Sequence, residues 1–302
     1  MDTIRKTSLA AVVALFAALA WQGSASAATP TCRGLIPTIM GTAGDDTITG
    51  TSGADVIMGR FGNDIIDGGG GDDVICGGPG QDHVSGGDAN DTIHGGQQND
   101  VIDGGAGDDH VIGGSGSDTL AGGPGNDVIE GQGGSDTADY TDAPSGVTAA
   151  VVDPVSGSFL SGVTATGDGT DTLTVENLTG SAHDDHLTGY VVAGLDGNDT
   201  LSGYQVDGGP GDDTVGTPTK YGSYLDGGPG DDTITGGPGY DSLEGGPGND
   251  ILRGGKGPNV LAPGPGDDVV NGGANGTLDE RVAPSKLVID LRSGTSTGDG
   301  SD

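Results

Sequence analysis

The sequence predicts an all-β fold made of two repeat arrays with a spacer of ordinary β-strands between them. Three observations predict it. Aspartate recurs every nine residues from Asp46 to Asp136, and an apolar residue lies two positions after each of these aspartates. Glycine, which accounts for 66 of the 302 residues, occupies most positions two residues before them. A short fixed period indicates structural units that stack on one another. The alternative is a disordered chain, because the net charge is −35 and only three Phe and one Trp are present.

Residues 1–27 have the pattern of a secretory signal peptide. A basic pair, Arg5 and Lys6, precedes an apolar run that ends at Trp21, and small residues lead to Ala27. The alternative is a membrane anchor, which needs about twenty apolar residues, and this run is shorter. We therefore expect cleavage after Ala27, a secreted chain, and no membrane insertion after cleavage.

The first array covers residues 44–139 and follows an N-terminal cap at residues 28–43. The apolar position of each unit is mostly isoleucine, and the glycine two residues before the aspartate is replaced only at Ala89 and Gln98. Glycine adopts positive φ in a turn at no steric cost, and a branched aliphatic side chain suits an inward-facing strand position. Each unit therefore predicts a glycine-rich turn and a short strand, with looser turns at Ala89 and Gln98.

These residues match the nonapeptide G-G-x-G-x-D-x-U-x, and the chain resembles the RTX family of calcium-binding repeat proteins. The resemblance covers eleven consecutive units in phase. It implies a right-handed parallel β-roll in which two nonapeptides make one coil, so that residues eighteen apart stack. It places Asp46 over Asp64 on one edge of the roll and Asp55 over Asp73 on the opposite edge.

The two aspartate ladders have no internal counter-charge, since histidine is the only basic side chain from Phe61 to Thr219. Carboxylates on adjacent coils, about 4.8 Å apart, would repel by about 1 kcal/mol or more per pair. Calcium ions reverse this sign, because calcium binds about six to eight oxygens of carboxylates and backbone carbonyls. The apolar core is too small to offset the ordering entropy alone, so we expect folding to depend on calcium.

The candidate calcium ligands are the ladder aspartates of both arrays. They are Asp46, Asp55, Asp64, Asp73, Asp82, Asp91, Asp100, Asp109, Asp118, Asp127, Asp136, Asp199, Asp213, Asp232, Asp241, Asp250 and Asp268.

Beyond the first array the period lapses and then returns. Residues 140–184 contain alternating stretches such as GVTAAVVD, which predict a β-strand spacer. Residues 185–276 form the second array. Its irregular intervals, 199–213 and 213–232, predict inserted loops.

Two features of the second half depart from the repeat. Asn259 lacks the charge of a ladder aspartate, which puts the site that it would share with Asp241 in doubt. The C-terminal residues 277–302 repeat part of the spacer, with TGDG at 297–300 matching TGDG at 166–169. The chain ends within a unit, and either it is truncated or its last strand caps the second array; truncation is favoured.

Cys32 and Cys76 are the only cysteines. In an exported chain both thiols meet oxidising conditions, and neither has another partner. A disulfide that joins the cap to the fourth nonapeptide is therefore predicted, and two free thiols are the alternative.

The sequence lacks two motifs of common enzymes: it has no H-E-x-x-H zinc site and no Walker loop. The aspartate pairs recur at one phase of the repeat, which indicates a scaffold rather than acid/base catalysis. His183 and His186 flank Asp184 and Asp185, and a transition-metal site there is the less favoured interpretation. The negative charge excludes nucleic acid and anionic membranes as partners.

These observations favour a secreted, non-enzymatic calcium-binding β-roll protein with a structural or adhesive role, whose partners are calcium ions and cell-surface or matrix components. The alternative is an accessory module of a larger secreted enzyme or toxin. Ice binding, a third hypothesis, requires a flat file of threonines. The residue after each aspartate is instead Thr47, Val56 and Ile65 in turn, which ranks ice binding last.

Overall fold

The computed structural model describes residues 30–151, 163–167, 169–217, 220–273, 276–278 and 286–289. The predicted signal peptide lies outside the described residues, as does most of the predicted C-terminal segment. The regular secondary structure of the described residues is entirely β. In this part of the chain no helix is long and apolar enough to cross a membrane.

Most strands are short and follow one another at the period of the repeat. In chain order they are β1 (Ile39–Met40), β2 (Thr47–Thr49), β3 (Val56–Met58), β4 (Ile65–Gly70), β5 (Val74–Pro79), β6 (His83–Asp88), β7 (Thr92–Gln97), β8 (Val101–Ala106), β9 (His110–Gly116), β10 (Thr119–Ala121), β11 (Val128–Gly134), β12 (Thr137–Asp139), β13 (Thr148–Ala150), β14 (Val163–Thr166), β15 (Thr170–Thr174), β16 (Asn177–Thr179), β17 (His186–Thr188), β18 (Val191–Ala193), β19 (Thr200–Ser202), β20 (Gln205–Asp207), β21 (Thr214–Gly216), β22 (Tyr224–Asp226), β23 (Thr233–Thr235), β24 (Ser242–Glu244), β25 (Ile251–Arg253), β26 (Val260–Ala262), β27 (Asp267–Asn271), β28 (Thr277–Leu278) and β29 (Lys286–Ile289).

The strands form two sheets that alternate along the chain. The first sheet has 16 strands in the order β1-β3-β5-β7-β9-β11-β15-β14-β13-β17-β19-β21-β23-β25-β27-β29. The second sheet has 13 strands in the order β2-β4-β6-β8-β10-β12-β16-β18-β20-β22-β24-β26-β28. Outside the predicted spacer each coil thus contributes one strand to each sheet, and the fold is a parallel β-solenoid.

The register of the first array confirms the predicted stacking of residues eighteen apart. In the first sheet Ile57 pairs with Ile75, and Ile75 pairs with Ile93. In the second sheet Ile66 pairs with Val84. All these pairs are parallel, as expected when every turn and every strand repeats in the same order.

The predicted apolar file forms the core between the two sheets. A three-residue strand such as β3 buries its middle residue and leaves its neighbours at the surface, because successive side chains point to opposite faces. Ile57, Ile75 and Ile93 are completely buried. Each strand thus contributes about one large apolar side chain, so the core is a single narrow layer.

The predicted spacer interrupts the repeat but not the sheets. Strand β15 pairs with β11, and β16 pairs with β12, so both sheets continue across it. Strand β14 is antiparallel to both β13 and β15, the exceptions to parallel pairing among the described strands. Residues 152–162, within the predicted spacer, lie outside the described residues.

The prediction of an inserted loop between residues 199 and 213 is wrong. Asp199 and Asp213 stack with a separation of 14 residues, so this coil is shorter than a coil of the first array. The reason is that the turn before β20 is reduced to Gly203 and Tyr204, which leaves no room for a six-residue turn. The next coil, from Asp213 to Asp232, spans 19 residues and does contain an insertion.

The predicted disulfide between Cys32 and Cys76 is present, with an S–S distance of 2.09 Å. Cys76 lies in β5, and Cys32 lies in the N-terminal cap, beside a short bridge to Leu35. The bond therefore connects the cap to the second coil, through the strand that this coil contributes to the first sheet.

Candidate metal centre

The ladder residues occupy the last position of the turn that precedes each strand. We call the file before the first-sheet strands the first ladder, which includes Asp55, Asp73 and Asp91, and the file before the second-sheet strands the second ladder, which includes Asp64 and Asp82. From Asp64 to Asp136 these aspartates are at most 2 % exposed. Burial of so many carboxyl groups needs compensation from hydrogen bonds or cations.

One carboxylate oxygen of each ladder aspartate is used to connect coils. The backbone N–H of Asp55 donates to Oδ1 of Asp73 at 2.7 Å, and the N–H of Asp73 donates to Oδ1 of Asp91 at 2.8 Å. The second ladder repeats this pattern, with the N–H of Asp64 bonded to Oδ1 of Asp82 at 2.9 Å. Each aspartate therefore touches two adjacent coils.

The other carboxylate oxygen, Oδ2, is buried and has no hydrogen-bond partner in most turns that the structure describes. We call these open turns. Their aspartates are Asp64, Asp73, Asp82, Asp91, Asp100, Asp109, Asp118, Asp136, Asp199, Asp213, Asp232, Asp250 and Asp268. A buried carboxylate oxygen without a partner is costly, which is the first indication of a cation site.

The backbone of the second turn residue separates open turns from the others. In an open turn this residue has positive φ, as at Gly69 (+95°) and Gly87 (+111°), and its N–H does not reach the aspartate. In the turn of Asp55 the second residue is Thr51, whose φ is not positive. The Thr51 N–H and hydroxyl donate to Oδ2 of Asp55 at 2.8 and 2.9 Å.

We call turns of this second kind closed turns, because the chain itself satisfies Oδ2. Their N–H donors lie at the same position of the turn and never have positive φ. The donor–acceptor pairs are Thr42 with Asp46, Thr51 with Asp55, Ser181 with Asp185 and Gly237 with Asp241.

Close backbone approach favours glycine as the first residue of most open turns. A methyl group on Gly68, the first residue of its turn, would lie 2.6 Å from Oδ2 of Asp73, and it would also collide with the carbonyl oxygen of Gly86 on the next coil. The unpartnered carboxylate oxygen and a backbone carbonyl therefore converge on the same small space. That space is a cradle that any side chain at Gly68 would fill.

Burial is the main cause of the raised pKa values in the open turns. The pKa of Asp91 is raised to about 7, mainly by burial and also by the charges of Asp109, Asp73 and Asp72. The closed turn shows the reverse, because the hydroxyl and N–H of Thr51 lower the pKa of Asp55. The carboxylates of the open turns thus lack a positively charged partner that would stabilise their ionised form.

The donor set fits calcium better than a transition metal. In the described part of the chain no group of three or more His, Cys, Asp or Glu side chains is placed to hold a metal ion. A cation in an open turn would therefore take carboxylate oxygens from the ladder and the rest from backbone carbonyls, and such all-oxygen coordination is typical of calcium. The carbonyl of Gly77, for example, accepts one hydrogen bond from Arg60 and retains a second lone pair.

The transition-metal hypothesis at His183 and His186 receives no support from the geometry. No metal-binding group of side chains forms there among the described residues. Asp185 is instead engaged by its own turn, because Ser181 donates its N–H to Oδ2 and its hydroxyl to Oδ1.

Ala89 and Gln98 do not have looser turns. Both adopt the positive φ of the glycines that they replace, +80° and +72° respectively. The stacking of the ladder demands this conformation, and a residue with a Cβ adopts it at a cost of about 1–2 kcal/mol. These two turns are strained rather than loose.

The ladders also contain residues that the sequence did not single out. The N–H of Asp127 donates to Oδ1 of Asp171, whose Oδ2 accepts the hydroxyl of Tyr140 at 2.9 Å. The N–H of Asp136 donates to Glu176. Asp185 follows in GSAHDD, and its six-residue turn pattern was a usable signal, whereas Asp171 and Glu176 lie in the spacer and have none.

The second ladder has no aspartate between Glu176 and Asp241. Tyr190 and Tyr204 take the next two ladder positions, as shown by the bonds from Tyr190 N–H to the Glu176 carbonyl and from Tyr204 N–H to the Tyr190 carbonyl. Ser223 takes the third position, and its N–H donates to Oδ1 of Asp241.

The second ladder ends in a turn that lacks a carboxylate. The amide of Asn259 takes the place of the carboxyl group, accepting the N–H of Asp241 and donating to the Gly254 carbonyl. The turn of Asp241 is itself closed by the Gly237 N–H. In the second array the open turns of the described residues therefore lie on the first ladder only.

The chain was compared with known protein families and with curated proteins. The profile of the family described as RTX calcium-binding nonapeptide repeat (4 copies) matches more than half of the chain, at residues 38–66, 49–84, 77–111, 85–120, 112–140, 191–215, 226–261 and 249–275. The search of curated proteins gave no match. The matched segments cover both ladders of the first array and leave out the spacer.

Proposed function

The chain belongs to the family of RTX calcium-binding repeat proteins, and from this premise we propose that it is a secreted, non-enzymatic β-roll protein that folds when calcium binds to its open turns. Repeats of this family bind calcium, and their fold is typically non-catalytic. The proposed role is structural or adhesive, at the cell surface or in the surrounding matrix.

The observation that carries this proposal is the series of buried carboxylate oxygens without partners. They recur in consecutive coils on both ladders of the first array, at the position where a backbone carbonyl of the next coil converges. When bound, calcium supplies the positive charge that these oxygens lack. The chain supplies the rest: Oδ1 connects the coils, Oδ2 faces the cradle, and the positive φ of the second turn residue keeps its N–H out of the site.

Export is supported by the N-terminal pattern and by the disulfide. The predicted signal peptide at residues 1–27 would deliver the chain to an oxidising compartment, where a bond between Cys32 and Cys76 persists. Extracellular calcium would then fold a chain that stays extended in the cell, where free calcium is scarce.

Circular dichroism tests the proposed calcium dependence. We expect the mature chain at pH 7.5 to gain most of its strand signal between excess chelator and millimolar calcium, because binding to the folded state alone shifts the equilibrium toward it. Magnesium at the same concentration is the matched control, and it should be a poor substitute because it demands octahedral coordination. A strand spectrum of equal strength in chelator would refute the proposal.

A further inference from the structure

Five of the six tyrosines of the chain are exposed at the surface of the second array. Tyr190, Tyr204, Tyr221, Tyr224 and Tyr240 have exposed fractions between 38 and 64 %. Such clustering of large aromatic side chains is informative, because the whole chain has only three Phe and one Trp. Exposed aromatic side chains are enriched at sites of protein recognition. We call these five residues the tyrosine face.

The fold brings the tyrosine face together on consecutive coils. The rings of Tyr190 and Tyr204 stack with centroids 5.0 Å apart and planes 3° apart. The N–H of Tyr224 donates to the Tyr204 carbonyl at 3.0 Å, which places Tyr224 on the next coil. One coil further, the backbone of Tyr240 packs against Gly222, the residue after Tyr221.

A column of three carboxylates borders the tyrosine face. Asp207 pairs in register with Asp226, and Asp226 pairs with Glu244, so like charges lie on adjacent strands of the second sheet. Tyr224 joins this column to the tyrosine face, because its hydroxyl donates to Oε2 of Glu244 at 2.9 Å. Burial and the charges of Glu244 and Asp207 raise the pKa of Asp226. The one ion pair found among the described residues lies elsewhere, so no positively charged side chain pairs with the carboxylates of the column.

The tyrosine face already contacts one cationic side chain of the same chain. The Nζ atom of Lys220 lies 5.3 Å from the centroid of the Tyr221 ring, within the range of a cation–π interaction. Lys220 is the only Lys or Arg between Arg60 and Arg253. The chain thus places a scarce positive charge over one of the exposed rings, which is the interaction that a basic partner would extend.

We propose that the tyrosine face and the Asp207–Asp226–Glu244 column together bind a basic, Arg- or Lys-bearing segment of a partner polypeptide. The negative charge of the surface and of the whole chain determines which kind of partner can bind there. A chain of net charge −35 repels an anionic partner, and a neutral partner would leave the three carboxylates uncompensated. A basic segment satisfies both parts of the surface, because its cations pair with the column and lie over the rings.

The tyrosine face itself lies where calcium does not compete. Tyr190, Tyr204 and Ser223 replace the aspartates of the second ladder, so this stretch of the edge has no open turn, while the first ladder on the opposite edge keeps Asp199, Asp213 and Asp232. The column lies at the other end of the same strands, because Asp207 and Asp226 directly precede the first-ladder turns of Asp213 and Asp232. The proposed surface therefore extends from the edge without calcium sites toward the edge that has them.

Binding of a fluorescent oligo-arginine peptide to the full chain in millimolar calcium tests the proposal. We expect the double variant Asp207→Asn/Asp226→Asn and the double variant Tyr190→Leu/Tyr204→Leu each to weaken binding about tenfold at physiological salt. The matched control is Asp67→Asn/Asp103→Asn, which removes the same charge from the outward face of the second sheet in the first array, where the nearby tyrosine, Tyr140, is buried. The control should change binding less than about twofold.

The test has four outcomes that would overturn the proposal. They are no peptide binding by the wild-type chain, equal weakening by the control and the column variant, binding of a neutral β-glucan in place of the peptide, and self-association that Tyr190→Leu/Tyr204→Leu abolishes. Circular dichroism of each variant in calcium and in chelator keeps the result separate from the calcium proposal, since a variant that folds normally with calcium reports on the surface alone.

Discussion

Asp55 and Asp91 lie in the same ladder, two coils apart, yet their turns solve the burial of a carboxylate differently. In the closed turn of Asp55, Thr51 donates two hydrogen bonds to Oδ2, and the pKa of Asp55 is lowered. In the open turn of Asp91, Oδ2 has no partner, and burial raises the pKa to about 7. The two turns have the same length and the same register with their neighbours.

The difference teaches that the need for a cation is decided by one backbone angle. Positive φ at the second turn residue removes the N–H donor from Oδ2, and the carboxylate then depends on an external charge. Three non-glycine residues, Arg60, Gln132 and Leu195, also adopt this angle, and their turns are open as well. Glycine at this position makes the angle inexpensive but is not what defines the site.

The largest expected effect follows from pH in the absence of calcium. Between pH 5 and pH 7.5 the folded metal-free chain retains protons on groups such as Asp91, pKa about 7, that the unfolded chain, near its ordinary value of 3.8, has lost. The free energy of unfolding therefore falls as pH rises through this window. We expect more strand signal in chelator at pH 5 than at pH 7.5.

The closed turn of Asp55 does not share this dependence, because the pKa of Asp55 is lowered and its stabilising contribution is present throughout that range. Circular dichroism at the two pH values, both above the isoelectric point of about 4.1, measures the effect. A strand signal that increases with pH in chelator would contradict the assignment of open turns.

Reduction of the disulfide is expected to have the next largest effect. The Cys32–Cys76 bond spans 44 residues and closes a loop that contains the closed turns of Asp46 and Asp55. In the chain-entropy account a loop of this length stabilises the folded state by about 4 kcal/mol. The double variant Cys32→Ser/Cys76→Ser should lower the free energy of unfolding of the calcium-loaded chain by about 3–4 kcal/mol in a denaturant titration. A change below about 1 kcal/mol would mean that the cap does not limit unfolding of the first array.

Replacing single ladder aspartates should separate the two kinds of turn by stoichiometry. Asp91 contacts the coils of both Asp73 and Asp109, so Asp91→Asn should weaken two calcium sites. Asp46 begins the second ladder, and Thr42 already satisfies its Oδ2, so Asp46→Asn should weaken at most one. Calcium counts from native mass spectrometry distinguish these results. Equal losses would show that carboxylates do not bridge coils eighteen residues apart.

The smallest expected effect concerns the strained turns. Ala89→Gly should stabilise the calcium-loaded chain by about 1 kcal/mol, because glycine adopts φ of +80° without steric cost. Ala54, which lies in the closed turn of Asp55 and lacks positive φ, offers the matched control, and Ala54→Gly should not stabilise the chain. A denaturant midpoint that is lower for Ala89→Gly than for the wild-type chain would contradict the strain.

The nonapeptide period was sufficient to predict the turn and the inward strand position of each unit of the first array, because each unit has one aspartate and one apolar residue at fixed positions. It predicted the burial of Ile57 and Ile75, whereas their pairing followed from the resemblance to the RTX family, in which two nonapeptides make one coil. The disulfide followed from export and from the presence of only two cysteines.

The period did not predict the spacer or the distinction between turns. Asp171 and Glu176 join the ladders through pairings that span the spacer, over 44 and 40 residues, which no local pattern encodes. The coil at Tyr204 is short because it lacks a six-residue turn before β20. The irregular interval in the sequence did not reveal this and suggested an insertion instead. Open and closed turns differ in φ, and Gly237 is closed although its turn, GGPGYD, has the same first four letters as open turns.

Hydrogen exchange of backbone amides in calcium and in chelator at pH 7.5 tests the central claim most directly. Amides that connect coils through open turns, such as those of Asp73 and Asp91, should lose nearly all protection in chelator. The Thr51 amide, which is bonded within its own closed turn, should lose less. Protection of the Asp73 and Asp91 amides in chelator that equals their protection in calcium would contradict the account.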